Sequence, residues 1–66
     1  MAVSDVTTRC RGEFLEMPGM RLTLPQAARF LGIDVETCER ALDHLVSSGF
    51  LRKSGNAYAR TGVGRD

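Results

Sequence analysis

The stretch "LTLPQAARFLGIDVETCERALDHL", residues 22–45, decides how this chain is read. Thr23 with Gln26 three residues later is a capping box, and Pro25 lies in the first turn, where a missing N–H is harmless. Ala27, Ala28 and Leu31 follow, so a helix is expected over about 24–31. Gly32 stops it, in the position where a left-handed residue closes helices. Asp34 then offers an N-cap carboxylate to a longer helix, Val35 to about Ser48, which Gly49 closes in the same manner.

On a wheel of about 100° per residue, Cys38, Ala41, Leu42, Leu45 and Val46 form one apolar arc of that longer helix, with Val35 at its edge. Glu36, Glu39, Arg40, Asp43 and Ser47 point the other way. Upstream, Val6, Cys10, Phe14 and Met17 recur at helical spacing, which predicts a first helix over about 6–17, capped by Ser4 or Asp5 and ended by Pro18-Gly19. Gly12 lies inside it at a cost of about 1 kcal/mol relative to Ala. Met20-Arg21-Leu22 reads as a short extended piece with Met20 and Leu22 on one side. Downstream, Phe50-Leu51-Arg52-Lys53 and Ala57-Tyr58-Ala59-Arg60 flank Ser54-Gly55-Asn56, a hairpin over about 50–60. Residues 61–66 read as a frayed tail.

Helix, short strand, helix, tight turn, helix and hairpin is the order of a winged helix-turn-helix domain, an α+β fold. Residues 22–60 resemble, without a gap, the N-terminal DNA-binding domains of IclR-type and related bacterial regulators. The resemblance rests on Leu22-Thr23, Ala28, Leu31, Gly32-Ile33, Thr37, Arg40, Leu42, Leu45, Gly49-Phe50-Leu51, Gly55 and Tyr58. Each has a packing or backbone reason. Ala28 lets the two helices cross closely, Gly32 takes the positive φ of the turn, and Ile33 plugs the core between them.

What the resemblance implies is double-stranded DNA binding, with the third helix in the major groove and the hairpin along phosphates. Carried over by position, Thr37 would touch a phosphate, Glu36 and Arg40 would face bases, and Arg52, Lys53, Asn56 and Arg60 would be the wing contacts. Arg40 suits bidentate contact to guanine O6 and N7. His44, on the shoulder beside Arg40, would approach a phosphate or remain an ordinary surface residue.

The departure from the pattern is the acid content. Asp34, Glu36, Glu39 and Asp43 against the single Arg40 leave a net −3 over residues 34–43, whereas Arg52, Lys53, Arg60 and Arg65 give residues 50–65 a net +4. The whole chain, at +1, has no general basic field. The outward face of the third helix therefore has two readings: one that enters a groove, and one that is a solvated, self-neutralised surface or docks a basic protein partner. A chain of 66 residues read as one domain would leave regulation to a partner or to a homodimer.

Other chemistry is not expected. A single His, no nucleophile-base spacing, no phosphate-cradling glycine loop and no metal-ligand cluster argue against an enzyme, a metal site or a cofactor. The absence of a long apolar run and of a signal region argues against membrane or secretion, so a cytoplasmic protein is expected. Cys10 and Cys38, with no CxxC spacing, read as reduced core thiols in preference to a disulfide.

Overall fold

The computed structural model describes residues 3–62. Three helices, α1 (Val3–Glu16), α2 (Leu24–Leu31) and α3 (Val35–Ser47), precede or interleave three short strands, β1 (Arg21–Thr23), β2 (Leu51–Ser54) and β3 (Ala57–Arg60). The strands form one antiparallel sheet in the order β1-β3-β2. This is an α+β fold with the layout of a winged helix.

Local chemistry sets the ends of α2 and α3. The Gln26 amide donates to Thr23 Oγ1 at 3.4 Å and the Thr23 amide to Gln26 Oε1 at 2.9 Å, which completes the reciprocal box. At the other end Gly32 takes φ +71°, and the amides of Gly32 and Ile33 donate to the carbonyls of Arg29 and Ala28. The same paired closure recurs at Gly49, φ +85°, with Gly49 to Val46 and Phe50 to Leu45. Both are Schellman motifs, and each turns the chain sharply enough to bring the next element back onto the core.

The core gathers Val6, Cys10 and Phe14 from α1, Ala27, Ala28 and Leu31 from α2, Cys38, Ala41, Leu42 and Leu45 from α3, and Leu51 and Tyr58 from the sheet. Met20, Leu22, Ile33, Val46 and Phe50 pack against its edge. Ala27 and Ala28 are buried where α2 meets α3, as a close helix crossing requires.

Three expectations are corrected. α1 starts at Val3, so Ser4 and Asp5 lie inside the helix and cap nothing; the Thr7 hydroxyl instead donates to the Val3 carbonyl at 2.8 Å. Met17 is outside α1 and 45% exposed, because the residue before Pro18 is pushed away from helical backbone. Val35, read at the edge of the arc, is 50% exposed, which is no departure. Thr61 is not frayed: its amide donates to the Phe50 carbonyl at 3.1 Å and prolongs the β2–β3 pairing. Residues 63–66, with Arg65, fall outside the described part.

Leu42 has no exposed surface and belongs to the one core cluster that draws on all three helices. Leu42→Ala should cost about 2 to 5 kcal/mol. In so small a domain the loss should abolish the cooperative thermal transition seen by circular dichroism; a variant that still melts cooperatively near the parent temperature would refute this orientation of α3.

Candidate nucleic-acid interface

The exposed side of α3 carries Glu36, Glu39, Arg40, Asp43 and His44. Its N-terminus is tied down locally. The Thr37 amide donates to Asp34 Oδ2 and the Thr37 hydroxyl to Asp34 Oδ1, both at 2.8 Å. These two bonds hold the Asp34 carboxyl below its ordinary pKa. Thr37, named from the sequence as a phosphate contact, thus has its one hydroxyl proton engaged within the cap.

Arg40 and Glu36 approach to 3.9 Å, one turn apart, with both side chains largely in solvent. An exposed pair of this spacing is worth about 0.2 to 0.5 kcal/mol, so the guanidinium is free to exchange partners. His44 lines a shallow recess with Val3, Arg40, Asp43 and Ser47, on the side of α3 that meets the start of α1.

The hairpin tip turns at Gly55, φ +65°, which supplies the positive angle at the first position of a two-residue loop. Asn56 follows with an ordinary negative φ. A cleft joins this tip to α3: Lys53, Asn56 and Tyr58 line it together with Glu39 and with Thr23, Leu24 and Pro25 at the start of α2. Lys53 Nζ stands 5.5 Å from the Tyr58 ring centroid. The cationic tip and the exposed helix are therefore neighbours.

The four residues grouped as wing contacts do not stay together. Lys53 and Asn56 adjoin α3. Arg52 pairs across the ladder with Ala59, one register position from the Lys53–Tyr58 pair, so its side chain leaves the opposite face of the sheet. Arg60, opposite Leu51 at the end of the hairpin far from the tip, lies half-buried with its guanidinium carbon 4.5 Å from the Phe50 ring centroid. Arg11 of α1 stands over the same ring at 5.1 Å. The Arg60 Nε is buried without a hydrogen-bond partner among the described residues. Arg60 is thus a packing residue of the α1–Phe50 corner, remote from Lys53.

Sequence reasoning passed over Arg21, which β1 places beside the hairpin: it pairs with Ala59 from the other side. The signal was present, since Arg21 alternates with the inward Met20 and Leu22, but the partner strand of β1 is not legible locally.

Cys10 and Cys38 are buried and free. Burial, followed by the charges that Cys38 and Glu13 would set beside it, pushes the Cys10 thiol up to about 11. Burial and then Asp34 raise that of Cys38 as well. Among the described residues no group of three or more His, Cys, Asp or Glu side chains could hold a metal ion, and no helix is long and apolar enough to cross a membrane. Compared with family models, with curated proteins and with solved structures, the chain finds no match.

The thiol environment predicts two results. Both cysteines should resist an aromatic disulfide reagent at about pH 8 in the native state and react promptly in denaturant, because the thiolate is the nucleophile. A raised thiol pKa stabilises the fold below the unfolded value and loses that contribution as pH climbs towards about 11. Alkaline titration of the melting temperature should therefore fall above about pH 9 and fall less in Cys10→Ser. Asp34 acts at the acid end with the opposite sign. Its lowered pKa stabilises above the unfolded value and ceases to do so as pH drops through the folded one, so Asp34→Ala should differ from the parent at neutral pH and converge with it in acid.

Proposed function

We propose that this chain is a small DNA-binding domain of the winged-helix type that acts in transcriptional regulation in the cytoplasm. One observation carries the reading: the cleft shared by Glu39, Lys53 and Asn56 sets the hairpin tip beside the exposed face of α3. A groove-entering helix flanked by a phosphate-contacting wing needs that adjacency. The resemblance of residues 22–60 to IclR-type DNA-binding domains points the same way.

In this reading the N-terminal half of α3 enters the major groove. Arg40 leaves Glu36 for guanine O6 and N7, giving up at most about 0.5 kcal/mol for a contact that discriminates by about 1 to 3 kcal/mol. Glu36 accepts from cytosine N4, a legitimate use of a carboxylate at a base edge. Lys53 and Asn56 lie along the backbone, and His44 reaches a phosphate from the α1 side. Thr37 remains a cap residue. Glu39 and Asp43 oppose the phosphates, so a single copy binds weakly, and a homodimer reading half-sites about 34 Å apart multiplies the attraction.

A specific observation favours a second reading. The one arginine of α3 is already spanned by Glu36, and among the described residues neither Glu39 nor Asp43, both exposed, makes an ion pair. Such a face suits a basic protein partner.

Titration of fluorescent random duplex separates the two. At about 50 mM salt the first reading expects binding in the micromolar range that weakens as salt rises. Lys53→Ala with Asn56→Ala should reduce it several-fold, and Arg40→Ala should relax preference at one base pair by about 1 to 3 kcal/mol. No duplex binding, with a protein captured at fixed stoichiometry and lost from Glu39→Lys plus Asp43→Lys, would establish the second.

A further inference from the structure

Residues directly opposite each other in an antiparallel ladder place their side chains on the same face. Ala59, in the central strand, pairs with Arg21 of β1 on one side and with Arg52 of β2 on the other. Arg21, Ala59 and Arg52 therefore form a single row across the sheet, and Thr23, Ala57 and Ser54 form the next. Leu22, Tyr58 and Leu51 alternate with these rows and enter the core, so Arg21, Ala59, Arg52, Ala57 and Ser54 lie on the outer face, while Thr23 at the edge of the second row is taken up by its cap on α2.

Two features of this face stand out physically. Its cations are uncompensated: Arg21 and Arg52 are exposed, neither has a carboxylate within ion-pair distance among the described residues, and none of the three strands contains an acid. Its floor is low. The central strand presents only the methyl groups of Ala57 and Ala59, at positions where a β-branched or aromatic side chain would make a better strand. Neighbouring strands are about 4.8 Å apart, so the two arginines stand roughly 10 Å apart across that floor.

We propose that the outer face of the sheet is a second phosphate-binding surface, separate from the α3 face, on which the backbone of duplex DNA lies across β3 with a phosphate at each guanidinium. The planar donor fork of arginine fits phosphate oxygens in pairs, which a lysine does not. The alanine floor lets the backbone come close. No aromatic side chain is among the outward residues of the strands, so nothing here stacks on bases, and the contact is blind to sequence. The inner face of the sheet and the buried arc of α3 look onto one core, so their outer faces point to different sides of the molecule. A duplex on one leaves the other open, and a single chain holds two duplex segments at once. The outer-face site goes beyond the reading of α3 and stands without it, whereas the holding of two duplexes rests on that reading.

The test is duplex binding by the full chain over a range of salt. In a chain whose α3 face is silenced by Arg40→Ala and Lys53→Ala, adding Arg21→Ala with Arg52→Ala should make the dependence of log K on log salt shallower by about 1.8, which is 0.9 for each phosphate, and weaken the remaining binding roughly a hundredfold at about 50 mM salt. Both side chains are exposed, so the melting temperature should not move. The unaltered chain should recruit a second, labelled duplex to an immobilised one, and the double variant should not. An unchanged salt slope on adding Arg21→Ala and Arg52→Ala to the chain with the silenced α3 face overturns the proposal. If Arg40→Ala and Lys53→Ala leave binding intact while the Arg21 and Arg52 variant loses it, the outer face stands and the α3 reading falls. Failure of the unaltered chain to recruit the second duplex overturns the two-sided arrangement.

Discussion

The fold depends on one constraint: the apolar arc of α3 has to be covered from three directions by a chain with very little apolar material. Cys38, Ala41, Leu42 and Leu45 are covered by Phe14, Cys10 and Val6 of α1, by Ala27, Ala28 and Leu31 of α2, and by Leu51 and Tyr58 of the sheet. A chain of this size buries only about 60% of its unfolded surface, and among the described residues one cluster carries the whole load. Once the arc faces inward, Glu36, Glu39, Arg40 and Asp43 are left exposed on the other side of the helix. The ionic character of the outward side follows from packing before any partner is considered.

The parts of this architecture that were legible in the sequence are those fixed by local chemistry. Thr23 with Gln26, Asp34, Gly32 and Gly49 act within four residues of their own backbone partners, so their spacing alone marks the limits of α2 and α3. α1 was less legible. Its start at Val3 carries no side-chain cap among the residues read for one, and its helicity comes from burying Val6, Cys10 and Phe14 in spite of Gly12. Met17 shows the failure of periodicity taken alone: the three- and four-residue rhythm continues to it, but Pro18 has already ended the helix. The position of β1 beside β3 was not legible at all, because it is set by long-range pairing.

That long-range pairing reorganises the charges. Arg52 and Lys53 are adjacent in the chain, which suggests one basic patch, yet the two-residue period of a strand sends them to opposite faces. Arg60 joins Arg11 at Phe50, and Arg21, distant in sequence, becomes the companion of Arg52 across Ala59. Counting cations along a segment overestimates the field at any one place. The wing residues are divided among three sites, each with its own neighbours.

Those neighbours differ in how tightly they hold their cation. Lys53 over Tyr58, and Arg60 and Arg11 over Phe50, each keep an aromatic contact worth about 0.5 to 1 kcal/mol at an exposed site. The exposed Lys53 ammonium retains that contact while meeting an anion from the solvent side. The half-buried Arg60 guanidinium over Phe50, with its Nε buried, must first be lifted off, and lifting it uncovers part of the core edge. Arg21 and Arg52 have neither ring nor carboxylate to leave. The order in which these groups can serve a polyanion is therefore Arg21 and Arg52 first, Lys53 next, and Arg60 with Arg11 last, whereas nearness to α3 alone would put Lys53 first.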